Sequence, residues 1–256
     1  MDFSKEALEK YTHKRFPRSA KYDPEWVHKN EMGPNVLWMT EALTKDMQLK
    51  PGMRILDLGC GTAMSSIFLA KEFDVQVWAT DLWIKATDNY ERIKEAGLDK
   101  QVFPIHAEAR TMPFADNFFD AIVSMDSYHY FGTDVHYLEF YLLKLLKPGH
   151  QIGIVSPASP KRLPHPAPAH FGDEWHWMNT VEWWQELWRR TPDLELEFAE
   201  LLPDGWDLWV QWHEFLNACK SRNRPDEINE LDILKKDGGR HLGFVRMLAR
   251  KIQNKA

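Results

Sequence analysis

Short apolar runs alternate with amphipathic segments through the middle of the chain, and this alternation predicts its secondary structure. The predicted strands cover residues 53–58, 75–80, 102–106, 119–125 and 151–156. The predicted helices between them cover residues 64–73, 85–96 and 135–146. Gly97 and the turn Lys147-Pro-Gly149 end two of these helices. Strands that alternate with helices favour an α/β fold with a doubly wound, mostly parallel sheet.

The two ends of the chain follow less regular patterns. Apolar residues at helical spacing over residues 35–47 predict a helix near the N-terminus. After the fifth strand we predict a loop, a helix, a strand, a helix and a closing strand, over residues 158–171, 180–190, 194–202, 206–220 and 241–251. We therefore expect one domain over residues 1–256. Its core would cover residues 50–157 and 241–251, with a helical N-terminal segment, residues 1–50, and cap insertions at residues 158–190 and 203–240.

Composition narrows the function classes. The chain has 256 residues and a formal charge of −6, which argues against a nucleic-acid backbone as the main partner. No apolar run approaches the roughly 20 residues of a membrane span, and the N-terminus shows no apolar signal core. Two cysteines provide neither a disulfide framework nor zinc-ligand spacing. These features predict a cytoplasmic location.

The segment Arg54–Met64 carries most of the candidate chemistry. It reads as a buried strand that enters a glycine loop, Gly59-Cys-Gly61, at the start of a helix. Glycines there let the backbone approach a ligand, and the helix N-terminus offers free N–H groups. Met64 stands where a dinucleotide fingerprint needs its third glycine, and no Gly-Lys-Ser/Thr of a P-loop follows.

These residues and three later motifs resemble the class I S-adenosylmethionine-dependent methyltransferases. The matching motifs, in chain order, are Asp57-x-Gly59-x-Gly61, the acid Asp81 that ends the second strand, residues 106–120, and residues 142–149. Ala63 replaces the third glycine of the first motif, and Glu108 stands at a usual Asp position. The resemblance covers about residues 50–157 and the last strand. It implies a seven-stranded, Rossmann-like sheet.

The resemblance also implies a cofactor and a set of residues that bind it. The cofactor is S-adenosylmethionine, with S-adenosylhomocysteine as product. The implied cofactor-binding residues are Asp57, Gly59, Gly61, Asp81, Leu82, Trp83, Glu108, Ala109 and Met125. Asp81 would accept the ribose hydroxyls, and Glu108 the adenine amino group. Leu82 and Trp83 would give the adenine an apolar face.

The resemblance also implies that the stretch after the fourth strand faces the transferred methyl group. This stretch contains His129, which we expect to act as a base or to position the acceptor, flanked by Tyr128 and Tyr130. A single histidine is more often a structural, hydrogen-bonded group. No Asn-Pro-Pro-Tyr or Asp-Pro-Pro-Tyr motif follows the strand, which argues against amino methylation of nucleobases or proteins.

A Trp- and His-rich segment follows the fifth strand. We expect Trp175, Trp177 and His170 to bind the acceptor, because aromatic rings can enclose an apolar group or a cation. The tryptophans at 183, 184 and 188 are better explained as the core face of a helix. The histidines of this segment fit no regular metal-ligand spacing, so no metal site is predicted.

The sequence thus predicts an enzyme that methylates a small molecule on N, O or C beneath an aromatic cap. Three alternatives stay open: a tRNA or protein methyltransferase, a non-catalytic S-adenosylmethionine sensor, and an NAD oxidoreductase. Neither the acceptor nor the oligomeric state, monomer or homodimer, is specified by the pattern.

Overall fold

The structure, a computed structural model, describes residues 3–171, 175, 178–219 and 230–253. Its helices are α1 Lys5–Tyr11, α2 Pro24–Asn30, α3 Val36–Thr44, α4 Met64–Phe73, α5 Ala86–Glu95, α6 Val181–Arg189, α7 Gly205–Ala218 and α8 Glu230–Asp237. Its strands are β1 Arg54–Leu58, β2 Gln76–Asp81, β3 Val102–His106, β4 Phe119–Met125, β5 Leu146–Ala158, β6 Leu194–Leu201 and β7 Gly243–Lys251. None of the helices in the described ranges is long and apolar enough to span a membrane.

The seven strands form one sheet in the order β3-β2-β1-β4-β5-β7-β6. Strands β1 to β5 pair in parallel, and β7 runs antiparallel to both β5 and β6. The predicted doubly wound, mostly parallel sheet is therefore confirmed. Strand order changes direction at β1, which lies between β2 and β4, and such a switch point is where open α/β sheets bind ligands.

Both faces of the sheet are buried, as expected for parallel strands covered by helices. Neighbouring residues on β1 show this division: Ile55 packs into a cluster with α3, α4 and α7, whereas Leu56 packs into a cluster on the opposite face. Both side chains are inaccessible to solvent. The side-chain period of two along the strand places successive residues on opposite faces.

The predicted helix over residues 135–146 is confirmed only in part. Residues 138–142 form one π-helical turn and residues 143–145 form a 3₁₀ turn, so this part is helical but not α-helical, and β5 begins at Leu146. Lys251 Nζ on β7 donates to the carbonyl oxygens of Leu143 and Leu146. These bonds tie the end of the segment to β7.

The predicted helix near residues 180–190 is confirmed, but it does not form a cap. Thr180 precedes α6, and its hydroxyl accepts a hydrogen bond from Trp183 N at 3.3 Å. Helix α6 packs on β6, and Trp184 and Trp188 are buried in the cluster on that face. The cap prediction is therefore wrong for this helix.

Candidate active site

A cavity lies where β1, β2 and β4 end at their carboxyl termini. It encloses about 990 Å³ of non-protein space, a volume that includes its open mouth. The described residues that line it are Met32, Gly33, Pro34, Val36, Leu58, Gly59, Cys60, Gly61, Thr62, Met64, Thr80, Asp81, Leu82, Trp83, Ala107, Glu108, Ala109, Met125, Asp126, Ser127, Tyr130 and Phe131. Every predicted cofactor-binding residue except Asp57 is among them.

The glycine loop after β1 forms the floor of this cavity. Gly59 N and Cys60 N both donate to the carbonyl oxygen of Thr80, at 2.8 and 3.1 Å, which ties the loop to the end of β2. Gly59 has φ +71°, and a Cβ there would lie 2.1 Å from Ser127 Oγ. A glycine is thus required because the loop after β4 packs directly against it.

Ala63 occupies the position of the third motif glycine, in a left-handed conformation with φ 63°. This conformation costs a residue with a Cβ about 1–2 kcal/mol. The side chain is fully buried and does not line the cavity. The effect of Ala63 is therefore on the backbone at the start of α4 and not on the space of the cavity.

Asp81 joins the loop after β1 to the loop after β2. Its Oδ2 accepts from Gly61 N at 2.8 Å, and its Oδ1 accepts from Trp83 N at 2.7 Å and Ile84 N at 2.9 Å. A carboxylate has about four acceptor positions, so three are in use. One position remains available to a ligand in the cavity, whereas the sequence suggested that two hydroxyls would bind.

Asp57 does not line the cavity but lies beneath it, fully buried. Ser65 and Ser66 in the first turn of α4 donate their hydroxyls to Oδ2, each at 2.6 Å. Burial raises the pKa of Asp57 from its ordinary value of 3.8 to about 6, against the opposing effect of the two hydroxyls. Oδ1 has no hydrogen-bond donor within the described part of the chain. The prediction that Asp57 contacts the cofactor directly is therefore corrected: Asp57 supports the loop from beneath.

Glu108 follows β3 and lines the cavity on the β2 side. Its carboxylate accepts from Arg110 N at 2.7 Å and contacts the Arg110 guanidinium at 3.2 Å. Arg110 also pairs with Asp134 at 3.4 Å. These bonds fix the orientation of Glu108, and its contact with an adenine remains a prediction.

Of the three predicted catalytic residues, only Tyr130 lines the cavity. Tyr128 is fully buried between Tyr137, Trp184 and Trp188. His129 is also buried, with Nδ1 3.1 Å from Ser156 Oγ, and burial lowers its pKa to about 3. A neutral imidazole so difficult to protonate is a poor general base. The predicted roles of His129 and Tyr128 are therefore wrong, because the 3₁₀ turn at Tyr128–Tyr130 points them into the protein.

The Trp- and His-rich segment does not line the cavity in the residues that the structure describes. Trp175 stacks on Trp209, with ring centroids 5.1 Å apart, inside the core. His170 lies 3.7 Å from the buried carboxylate of Asp237. Trp177 lies outside the described residues. The predicted acceptor-binding role is thus wrong for Trp175 and His170. No group of metal ligands occurs among the described side chains.

Two groups of cavity residues were not predicted from the sequence. The first is the segment Met32-Gly33-Pro34 between α2 and α3, which Trp212 Nε1 holds by donating to the Gly33 carbonyl at 2.7 Å. The second comprises Asp126, Ser127 and Phe131 after β4. Asp126 lies in the stretch that the resemblance placed near the methyl group, so its position was a usable signal. The sequence around Met32-Gly33-Pro34 gave no such signal, because Trp212, which holds this segment, lies 179 residues away in the chain.

Comparison with known proteins agrees with this geometry. A family model described as a methyltransferase domain matches residues 55–149. Phosphoethanolamine N-methyltransferase 1 of Arabidopsis thaliana is 32% identical over 114 residues, 44% of this chain and 23% of that protein. Demethylmenaquinone methyltransferase of Corynebacterium efficiens is 30% identical over 131 residues, 50% of this chain and 51% of that protein. The chain thus spans between about a quarter and a half of these relatives.

Among solved structures, geranyl diphosphate C-methyltransferase from Streptomyces coelicolor A3(2), in complex with Mg²⁺, geranyl diphosphate and S-adenosyl-L-homocysteine, has the same fold. The TM-score is 0.71 at 17% identity, over 98% of this chain and 89% of that one. The sheet order and the glycine loop with its acid at the end of β2 give this chain the fold of that methyltransferase, and residues 55–149 match the methyltransferase domain.

Proposed function

We propose that this protein transfers a methyl group from S-adenosylmethionine to a small molecule, on N, O or C. One observation carries the proposal. A single cavity joins the glycine loop and Asp81, on the β2 side, to Asp126 and Tyr130 on the β4 side. Donor and acceptor can therefore lie in one enclosed space across the end of β1.

The lining residues fit this cofactor. S-adenosylmethionine carries a sulfonium and an ammonium group, and the cavity has three carboxyl groups, on Asp81, Glu108 and Asp126, with no Lys, Arg or His among its described lining residues. The unpartnered Oδ1 of Asp57 adds negative potential beneath the loop. Leu82 and Trp83 offer an apolar surface, and the remaining acceptor position of Asp81 suits a ribose hydroxyl.

When bound, the cofactor supplies an electrophilic methyl group. The chain contributes chiefly by holding the acceptor in line and excluding water, which can account for several kcal/mol of the barrier. The cavity contains no imidazole among the residues described, and His129 is buried behind it. Any proton that must leave an acceptor would pass to a carboxyl group or to water.

The alternatives make different predictions. A tRNA acceptor would require basic side chains near the cavity to contact phosphates, and the described lining has none. A sensor would bind the cofactor without turnover. An NAD oxidoreductase would bind a nicotinamide cofactor.

The test combines binding with product detection. Calorimetry measures the affinity for S-adenosylmethionine and for NAD. Labelled cofactor is then incubated with the protein and a metabolite extract, and mass spectrometry identifies species that gain one methyl group. We expect binding, S-adenosylhomocysteine formation and one enriched product. Binding without any methylated product would favour the sensor, and tighter binding of NAD would contradict the proposal.

A further inference from the structure

Asp126 carries the one carboxyl group among the described lining residues that accepts no hydrogen bond from the described part of the chain. Asp81 and Glu108 each accept backbone N–H bonds. The backbone N of Asp126 donates to Val155 O at 2.8 Å. A partly buried carboxylate without a donor is costly, so its presence calls for a partner that arrives with the ligand.

The backbone directs this side chain into the site. Asp126 has φ +53°, in the left-handed region, immediately after β4. The carboxyl group lies against the Met32-Gly33-Pro34 segment, since a Cβ on Gly33 would be 2.9 Å from Oδ2. Residues other than glycine in this conformation store backbone strain and cluster at functional sites. The cavity thus holds a carboxyl group between β4 and the N-terminal segment.

The electrostatic surroundings of Asp126 favour a cation. Burial, together with the charge of Glu230 on α8, raises the pKa of Asp126 well above its ordinary value. No ammonium, guanidinium or imidazole group lines the cavity in the part of the chain that the structure describes. The neighbouring Arg110 is already paired with Glu108 and Asp134. A bound cation would favour the ionised form of Asp126 and so lower this pKa.

Aromatic rings complete this part of the cavity. Tyr130 and Phe131 follow Asp126 within five residues and line the same space. The ring of Trp83 lies edge-on to Tyr130, with centroids 5.1 Å apart. Aromatic faces attract organic cations, and the attraction is stronger when water is excluded.

We propose that the methyl acceptor is a small, non-phosphorylated amine that enters as its ammonium ion, with Asp126 as its counter-ion beside Tyr130 and Phe131. Asp126 would then accept one N–H proton from the ammonium group. The freed nitrogen lone pair would take the methyl group as the cofactor's sulfur–methyl bond breaks and S-adenosylhomocysteine forms. This inference rests on the proposed methyltransferase function. The described lining has no Arg or Lys, the side chains that most often bind phosphate groups. Two of the similar proteins are named for phosphorylated compounds, phosphoethanolamine and geranyl diphosphate, so this inference separates the chain from them.

The test uses three probes of matched shape. Calorimetry first measures S-adenosylhomocysteine binding. The saturated complex is then titrated with choline, its neutral isostere 3,3-dimethylbutan-1-ol, and phosphocholine. We expect choline to bind at least about tenfold more tightly than either of the others, the equivalent of one ion pair or more. Equal affinities, tighter binding of phosphocholine, or no choline binding at millimolar concentration would overturn the inference.

Variants assign the preference to one residue. Asp126→Asn keeps the side-chain shape and tolerates the left-handed backbone, so thermal unfolding should show a folded protein. It should weaken choline binding at least about tenfold and leave S-adenosylhomocysteine affinity within twofold. Asp116→Asn, at an exposed carboxylate outside the cavity, is the control. An equal loss of S-adenosylhomocysteine affinity in Asp126→Asn would show that the carboxyl group serves the cofactor instead. Failure of S-adenosylhomocysteine to bind wild type would refute the proposed function itself.

Discussion

Replacing Asp81 with Ala tests the acid at the end of β2. The carboxylate accepts three backbone N–H bonds, from Gly61, Trp83 and Ile84, at 2.7–2.9 Å. Hydrogen bonds to a charged group contribute about 1.5–3 kcal/mol each when the partner stays dry. The variant would also lose the hydrogen bond between a ribose hydroxyl and the one remaining acceptor position, which contributes a similar free energy. We therefore expect S-adenosylmethionine affinity to fall about 10- to 150-fold.

The assay is isothermal calorimetry with S-adenosylmethionine and S-adenosylhomocysteine, with urea unfolding of the ligand-free protein in parallel. The unfolding measurement reports the loss of the hydrogen bonds that hold the loops, separately from the loss of the direct contact with the ligand. We expect the free energy of unfolding to drop by about 2–3 kcal/mol, because the freed N–H groups of the loops regain water. Asp88→Ala, an exposed carboxylate in the first turn of α5, controls for charge alone. Unchanged cofactor affinity in Asp81→Ala would refute this role.

Three further predictions concern single residues. Burial raises the pKa of Asp57 from 3.8 to about 6, so folded wild type binds its proton more tightly than the unfolded chain. As the pH rises from about 4 to 7, the free energy of unfolding of wild type should fall by about 3 kcal/mol relative to that of Asp57→Asn. Urea unfolding curves of the two proteins that shift by the same amount with pH would contradict this. Ala63→Gly should raise the free energy of unfolding by about 0.5–1 kcal/mol, since relief at φ 63° exceeds the added chain entropy; a lower urea midpoint would argue otherwise. His129, with a pKa near 3, should show no imidazole titration by NMR above pH 5, and a midpoint near 6.5 would disprove its burial.

The failures of the sequence predictions have a common physical cause. His129 and Tyr128 were placed in the site by their position after β4, but the 3₁₀ turn there faces both inward. Trp175 was assigned to a cap, yet stacks on Trp209 of α7. The local sequence pattern predicts that a helix or strand is present. The direction of a side chain in a turn depends instead on one or two backbone angles and on packing with distant residues.

The amino-acid pattern by itself determined the alternating strands and helices, the glycine loop and its acid Asp81. These features arise within single elements or between β1 and β2, which are neighbours in the chain as well as in the sheet. The tertiary structure alone decided what closes the cavity. It brought Met32 and Gly33 onto the site through Trp212 and placed beside them Asp126, whose carboxyl group has no donor among the described residues. Contacts between residues far apart in sequence leave no periodic trace along the chain.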